Sequence, residues 1–350
     1  MTPFPRADYA ALGRYDPGRR PVAVDLSDNT NLWGTHPAAL ARIRAASTDD
    51  LARYPELYAD TLRDAVAVRF GVDAACVTTG AGSDDVLDST YRAAWGSNAM
   101  VSYASPTFSM VPALALMNGM RGRPIPWTLA HQEPARLLQD HPALVYVCRP
   151  NNPTGEQATR EWIDELLTLR GASGPLILID EAYADFAEET LIPLAAEHPG
   201  VIVARTTSKA YGLAGLRCGF AVGTPDTIIE IDKSRGPYKV SRLASEAAAA
   251  AMQDEDGWMA ETIRECLANR ARLTQDLAHR GLSPRDSRAN FILFDAWSGS
   301  AQDDADALRS RGVAVRPFVT EELPDTLRVS VGPWPMMEAF LDALDEATGR

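Results

Sequence analysis

Val201-Ile202-Val203-Ala204-Arg205-Thr206-Thr207-Ser208-Lys209-Ala210 is a short apolar run that passes directly into a polar turn carrying a lysine. Runs of the same kind flank it at residues 76–79, 99–103, 143–148, 175–180 and 217–223. Each is nearly continuous in hydrophobicity, as strands buried on both faces require. Amphipathic stretches at 84–95, 108–118, 160–170 and 224–233 follow several of them. The alternation predicts an α/β fold with a mostly parallel central sheet flanked by helices. The last third changes character. A helical stretch over 241–279, strands at 290–294, 313–316 and 327–331, and a closing helix over 336–347 predict a smaller α+β unit. The first 35 or so residues, rich in proline and glycine, read as an arm. The expected division is 1–37 for the arm and part of a small domain, 38–240 for a large domain and 241–350 for the C-terminal small domain.

At 350 residues the chain is long enough to bury a large core, and 46% hydrophobic with 23% charged residues excludes wholesale disorder. A net charge of -13 provides no general field for a polyanion. Nucleic acid and acidic membrane surfaces are therefore disfavoured, and small-molecule chemistry is favoured. Cys76, Cys148, Cys218 and Cys266 form no CxxC pair, and no histidine stands at zinc spacing. Neither a metal site nor a disulfide framework is expected, and the thiols read as buried and free. The start of the chain lacks a secretory pattern, and no apolar run approaches the roughly 18 residues of a membrane span, which fits a reducing cytoplasm.

Three of the 34 basic residues are lysine: Lys209, Lys233 and Lys239. A lysine at the end of a buried strand is desolvated, which lowers its pKa and frees its lone pair to form a Schiff base with an aldehyde such as pyridoxal phosphate. An isolated lysine in such a turn is more commonly a surface residue. Here that reading weakens, because arginine stands almost everywhere else and its guanidinium stays protonated. Lys233 and Lys239 lack the strand-end setting.

Asp180 ends the run 175–180 and precedes Glu181-Ala182-Tyr183. A carboxylate at the carboxyl end of a parallel strand lies in the crevice where open α/β sheets bind ligands, and it suits a protonated pyridine nitrogen. The competing role is a cap for the next turn. Arg149-Pro150-Asn151-Asn152-Pro153-Thr154-Gly155 makes a rigid turn whose amide can donate to a phenolate oxygen. Thr79-Gly80-Ala81-Gly82-Ser83-Asp84-Asp85 is a glycine-rich strand-to-helix junction suited to a phosphate. It has neither the ending of a P-loop nor the third glycine of a dinucleotide fingerprint, where Asp85 stands, so a nicotinamide enzyme is disfavoured. Phe108 can stack on a flat heterocycle or pack in the core, and Arg217 can clamp a phosphate.

Taken in order, these motifs resemble the fold-type-I, pyridoxal-phosphate-dependent aminotransferases of class I/II, and most closely their histidinol-phosphate aminotransferase branch. The resemblance spans nearly the whole chain. It also rests on Tyr15-Asp16-Pro17-Gly18, Arg53-Tyr54-Pro55-Glu56, Ala214-Gly215-Leu216-Arg217-Cys218-Gly219-Phe220, Arg288-Ala289-Asn290-Phe291 and Leu327-Arg328-Val329-Ser330-Val331-Gly332. It implies that Lys209 carries the cofactor and moves a proton, with Asp180 at the ring nitrogen, Asn152 and Tyr183 at the ring's 3-oxygen, and Phe108 over the ring. Lys209, Asp180 and Tyr183 are thus the expected catalytic residues. Gly82, Ser83, Asp84, Thr206, Ser208 and Arg217 would surround the phosphate, which Tyr54 would reach from the neighbouring subunit of a homodimer. Tyr15, Asn31, Arg316 and Arg328 would grip the substrate.

Two departures stand out. The family's Asn-Glu-Asn-Pro run is Asn29-Thr30-Asn31-Leu32, and its Gly-Ala-Asp-Glu loop is Gly82-Ser83-Asp84-Asp85. They spare the cofactor site and leave the donor open among histidinol phosphate, aromatic and other amino acids. The expected reaction moves an amino group to a 2-oxo acid such as 2-oxoglutarate. Decarboxylation of the threonine-phosphate type is the rival within enzymes. A non-catalytic binding protein is disfavoured, because the lysine, the aspartate and the tyrosine are all present.

Overall fold

The computed structural model describes every residue except 1–3, 7, 8, 11, 15–17, 19, 97, 98, 188 and 350. Its strands are β1 (Val24–Asp25), β2 (Val77–Gly80), β3 (Met100–Ser105), β4 (Arg121–Pro126), β5 (Leu144–Cys148), β6 (Leu176–Asp180), β7 (Val201–Thr206), β8 (Gly219–Val222), β9 (Phe291–Asp295), β10 (Val313–Ala314), β11 (Arg316–Thr320) and β12 (Leu323–Ser330). Seven of them form one sheet in the order β2-β8-β7-β6-β5-β3-β4. There β8 runs antiparallel to both neighbours, and every other pairing is parallel.

Successive residues of the central strands point to opposite faces, and both faces are covered. Val145, Val147, Ile177, Ile179, Val201 and Val203 enter one apolar cluster, whereas Leu144, Tyr146, Cys148, Leu178, Ile202 and Ala204 enter the other. Full burial of each large aliphatic side chain contributes about 1.5–3 kcal/mol. That is why these runs read as unbroken apolar sequence: neither face meets water. The parallel strands also end together. Cys148 of β5 is in register with Asp180 of β6, which is in register with Ala204 of β7. The segments that follow them leave the sheet along one edge.

The expected architecture is present, a mostly parallel sheet flanked by helices together with a smaller C-terminal unit, but several elements differ from the sequence reading. Gly122, Pro124 and Pro126 argue against a strand, yet β4 forms. It pairs only with β3 at the sheet edge, where a proline need not donate to a second neighbour. The run 313–316 is divided between two sheets: β10 pairs with β1, while β11 forms an antiparallel hairpin with β12, which pairs in turn with β9. The stretch 241–279 is two helices, Arg242–Gln253 and Trp258–His279, separated by Asp254 and Gly257 at φ of +43° and +68°. The Asp254 carboxylate accepts from the Met259 amide at 2.9 Å, capping the second helix, and from His36 Nε2 at 2.9 Å.

The arm is stitched into the smaller unit. Leu26 N donates to Ala314 O at 2.8 Å, and Ser330 N donates to Leu26 O at 2.9 Å. All four cysteines are buried and unpaired, as expected. Among the described residues, no helix is long and apolar enough to cross a membrane.

Candidate active site

Asp180 is the last residue of β6, Lys209 stands just beyond β7, and Asn152 lies in the turn after β5, so three neighbouring parallel strands present them at one edge. Asp180 is only 3% exposed. Tyr146 donates its phenolic hydrogen to Asp180 Oδ2 at 2.7 Å, and the Ala182 amide donates to Oδ1 at 3.0 Å. Burial pushes this carboxyl up to about 6, and Asp84 and Glu181 nearby add repulsion. At neutral pH it is a buried anion among anions.

Lys209 Nζ donates to the Asp28 carbonyl at 3.1 Å and lies 5.6 Å from the centre of the Tyr183 ring. Burial, and then the positive charge of Arg328, lower its pKa to about 8. The other two lysines differ. Lys233 pairs with Glu230 at 2.5 Å in solvent, and Lys239 pairs with Asp85 at 2.6 Å.

Residues 27–31 bind the site in succession. Ser27 O accepts from Arg328 Nη2 at 3.0 Å, Asp28 O from Lys209, and Tyr183 Oη accepts from Asn29 Nδ2 at 3.1 Å. Asn29 takes a positive φ of 57° and is held there by Ser330 Oγ, which accepts from its amide at 2.9 Å and donates to its Oδ1 at 3.0 Å. Asn31 donates to Ala210 O and accepts from the Trp33 amide, each at 2.9 Å. Both ends of its side chain engage backbone, so Asn31 braces this segment.

Arg328 is 6% exposed; its Nη1 donates to Asn152 Oδ1 at 2.6 Å, and its guanidinium lies 5.2 Å and 5.6 Å from the ring centres of Phe291 and Phe318. With its oxygen taken by Arg328, the Asn152 amide turns its N–H groups the other way. Arg316 is in register opposite Arg328 across the hairpin. Tyr183 is buried, which raises its phenol to about 12 and keeps it a hydrogen-bond donor near neutrality.

The glycine-rich junction builds a cradle. Gly82, at φ +86°, precedes the helix Ser83–Ala93, and a Cβ there would lie 2.5 Å from Arg217 Nη2. Arg217 also donates to Asp84 Oδ2 at 3.2 Å. A Cβ on Gly219 would come within 2.4 Å of Ser83 N, so two glycines let β8 and the guanidinium close on the helix start. Beside them Thr206 Oγ1 donates to Ser208 Oγ at 2.9 Å and accepts from the Ser208 amide at 3.1 Å. Hydroxyls, a guanidinium and first-turn amides form a donor set for an anion.

Three of the expected residues remain. Phe108 is half-buried against the cluster that contains Tyr146. Tyr54 is 80% exposed and stacks on Tyr238 with ring centres 4.8 Å apart. Tyr15 lies outside the described residues. Sequence reasoning did not single out Tyr146, Asn29, Ser330 or Gly219. The last three lie within the quoted motifs without a role of their own, and Tyr146 carried a separate signal, because a hydroxyl inside a strand buried on both faces must find a partner.

Beneath the site lies a buried ion network. Glu181 Oε2 accepts from Arg205 Nη1 at 3.2 Å and Thr190 Oγ1 at 2.5 Å, Oε1 accepts from the Leu191 amide at 2.7 Å, and Arg149 approaches it at 3.8 Å. Arg205 also pairs with Asp185, and Arg149 with Glu189. The network ties the turn after Asp180 to β7 and to the turn after β5.

These residues fit a phosphorylated pyridine aldehyde. Among the described residues the buried Asp180 has no cationic partner, which a ring nitrogen can provide; the cradle that a Cβ would fill suits a phosphate, and the lysine of lowered pKa suits an aldehyde. The chain matches the family of aminotransferases class I and II over residues 21–344, and it belongs to that family. Within it the chain is a pyridoxal-phosphate-dependent aminotransferase of the histidinol-phosphate aminotransferase-like kind. It is 34% identical to histidinol-phosphate aminotransferase 1 of Nostoc sp. over 98% of both chains. It is 33% identical to an aromatic amino acid aminotransferase of Streptomyces coelicolor over 99% of this chain and 98% of the other. The fold superposes with a TM-score of 0.87 on histidinol-phosphate aminotransferase from Sinorhizobium meliloti in complex with pyridoxal-5'-phosphate, at 28% identity, covering 99% of this chain and 98% of that one.

Proposed function

We propose that this enzyme transfers the amino group of histidinol phosphate to 2-oxoglutarate and works as a homodimer. The observation that carries the reading is the pair Arg316 and Arg328, in register on adjacent strands, with Phe291 and Phe318 beside Arg328. Donor and acceptor each bring an anion, a phosphate ester in one half-reaction and a carboxylate in the other, and the guanidinium fork accepts both.

Bound pyridoxal phosphate supplies an electron sink for the charge that develops at the substrate α-carbon. Asp180 would pair with its ring nitrogen, Tyr183 and Asn152 would hydrogen-bond its 3-oxygen, and Phe108 would pack against the ring. Gly82, Ser83, Asp84, Thr206, Ser208 and Arg217 would hold its phosphate. Lys209 Nζ, a neutral amine above pH about 8, takes the α-proton and returns it. Arg328 would orient the substrate so that its C–H bond, rather than another bond of the α-carbon, is aligned to break.

The exposed, stacked pair Tyr54 and Tyr238 supports a second copy of the chain on this surface, with Tyr54 reaching the partner's phosphate. The pairing of β1 with β10 supports grouping residues 1–37 with 241–350 in one small domain around 38–240.

A donor screen with purified enzyme and 2-oxoglutarate tests the substrate assignment. Glutamate formation should show the highest kcat/KM with histidinol phosphate. Higher kcat/KM with phenylalanine or tyrosine would reject that donor while leaving the family intact, and release of carbon dioxide without glutamate would reject transamination.

A further inference from the structure

We propose that Tyr146 is a positioning residue that keeps the Asp180 carboxylate ionised and aimed at the cofactor ring. The inference rests on the cofactor reading above. Tyr146 of β5 is in register with Leu178 of β6, and Asp180 lies two residues further along β6, on the same face as Leu178. The phenol therefore reaches forward along the sheet to Oδ2 at 2.7 Å. Tyr146 is 1% and Asp180 3% exposed, so water does not replace that bond.

The surroundings leave the carboxylate dependent on its donors. Asp84 from the helix Ser83–Ala93 and Glu181 from its own segment are negative. Tyr91 of the same helix and Cys148 of β5 also face Asp180; burial above all, and the nearby Asp180 charge with it, push both their pKa values up, so they stay neutral. Tyr183 is likewise held protonated, chiefly by burial. The bonds from Tyr146 and the Ala182 amide both oppose the rise that burial imposes on Asp180. Tyr146 is itself raised well above its ordinary value, by burial and then by Asp180, so it remains a donor throughout the working range.

The test measures the equilibrium dissociation constant of pyridoxal phosphate from apoenzyme by tryptophan fluorescence, from about pH 5 to about pH 9, with folding checked by circular dichroism. Tyr146→Phe should bind within about threefold of wild type near pH 8.5 but about fivefold more weakly near pH 6 and close to tenfold near pH 5, which displaces the acidic limb upward by about one pH unit. Tyr91→Phe removes a buried phenol from the same cluster that makes no hydrogen bond among the described residues, and its profile should follow wild type. Should Tyr146→Phe not fold, Tyr146→Met carries the same expectation. A Tyr146 variant whose limb coincides with wild type, a uniform weakening at every pH, or an equal displacement by Tyr91→Phe would overturn the inference. A wild-type chain that binds no pyridoxal phosphate would instead overturn the cofactor reading.

Discussion

Lys209 shows how a single residue trades stability for chemistry. Its folded pKa of about 8 lies below its ordinary 10.5, so the unfolded chain holds the proton more tightly and the charged amine opposes folding at any pH below about 8. That opposition fades as pH rises from about 8 to about 10.5. Lys209→Met should therefore abolish turnover yet stabilise the apoenzyme by about 1–3 kcal/mol at pH 7, with a gain that shrinks toward pH 10. Denaturant midpoints at the two pH values give the readout, and an apoenzyme destabilised at pH 7 would contradict it. This lysine was legible in the sequence because its chemistry cannot be done by arginine. Asn29 was not, since nothing local shows that an asparagine at positive φ is held by Ser330, 301 positions away.

The turn between β6 and the helix that starts at Ile192 depends on Glu181, fully buried between two arginines. Glu181→Gln leaves Arg149 and Arg205, both buried, short of one negative charge. Unfolding stability should fall by about 3 kcal/mol, and a urea titration showing a loss below about 1 kcal/mol would contradict the account. Among the strands, β5, β6 and β7 were readable because burial on both faces writes itself as an apolar run. The edge strand β4 was not, since an edge tolerates the prolines that would break a central strand. The run 313–316 looked like one strand because the pairing partners of β10 and β11 lie far away, at β1 and β12.

At the scale of the whole molecule, the proposed dimer shares its residues between sites. Lys209→Ala and Tyr54→Ala homodimers should each be impaired. When the two are unfolded together and refolded, each mixed dimer assembles one site with an intact Lys209 and an intact Tyr54, so activity should recover toward about a quarter of wild type. Additive residual activities after mixing would place Tyr54 outside its partner's site, and sedimentation as a monomer would remove the shared site altogether.

What the linear order of residues determined here was the fold class and the identity of the reactive groups: alternating apolar runs demand a buried sheet, and an amine, a carboxylate and a glycine-rich junction at strand ends carry their chemistry with them. The relation among those groups was decided only in three dimensions. Asp180 meets Tyr146 across neighbouring strands, Lys209 meets the carbonyl of Asp28, and Arg328 meets Asn152, because register and packing, which act between segments distant in the chain, set hydrogen-bond geometry and local dielectric.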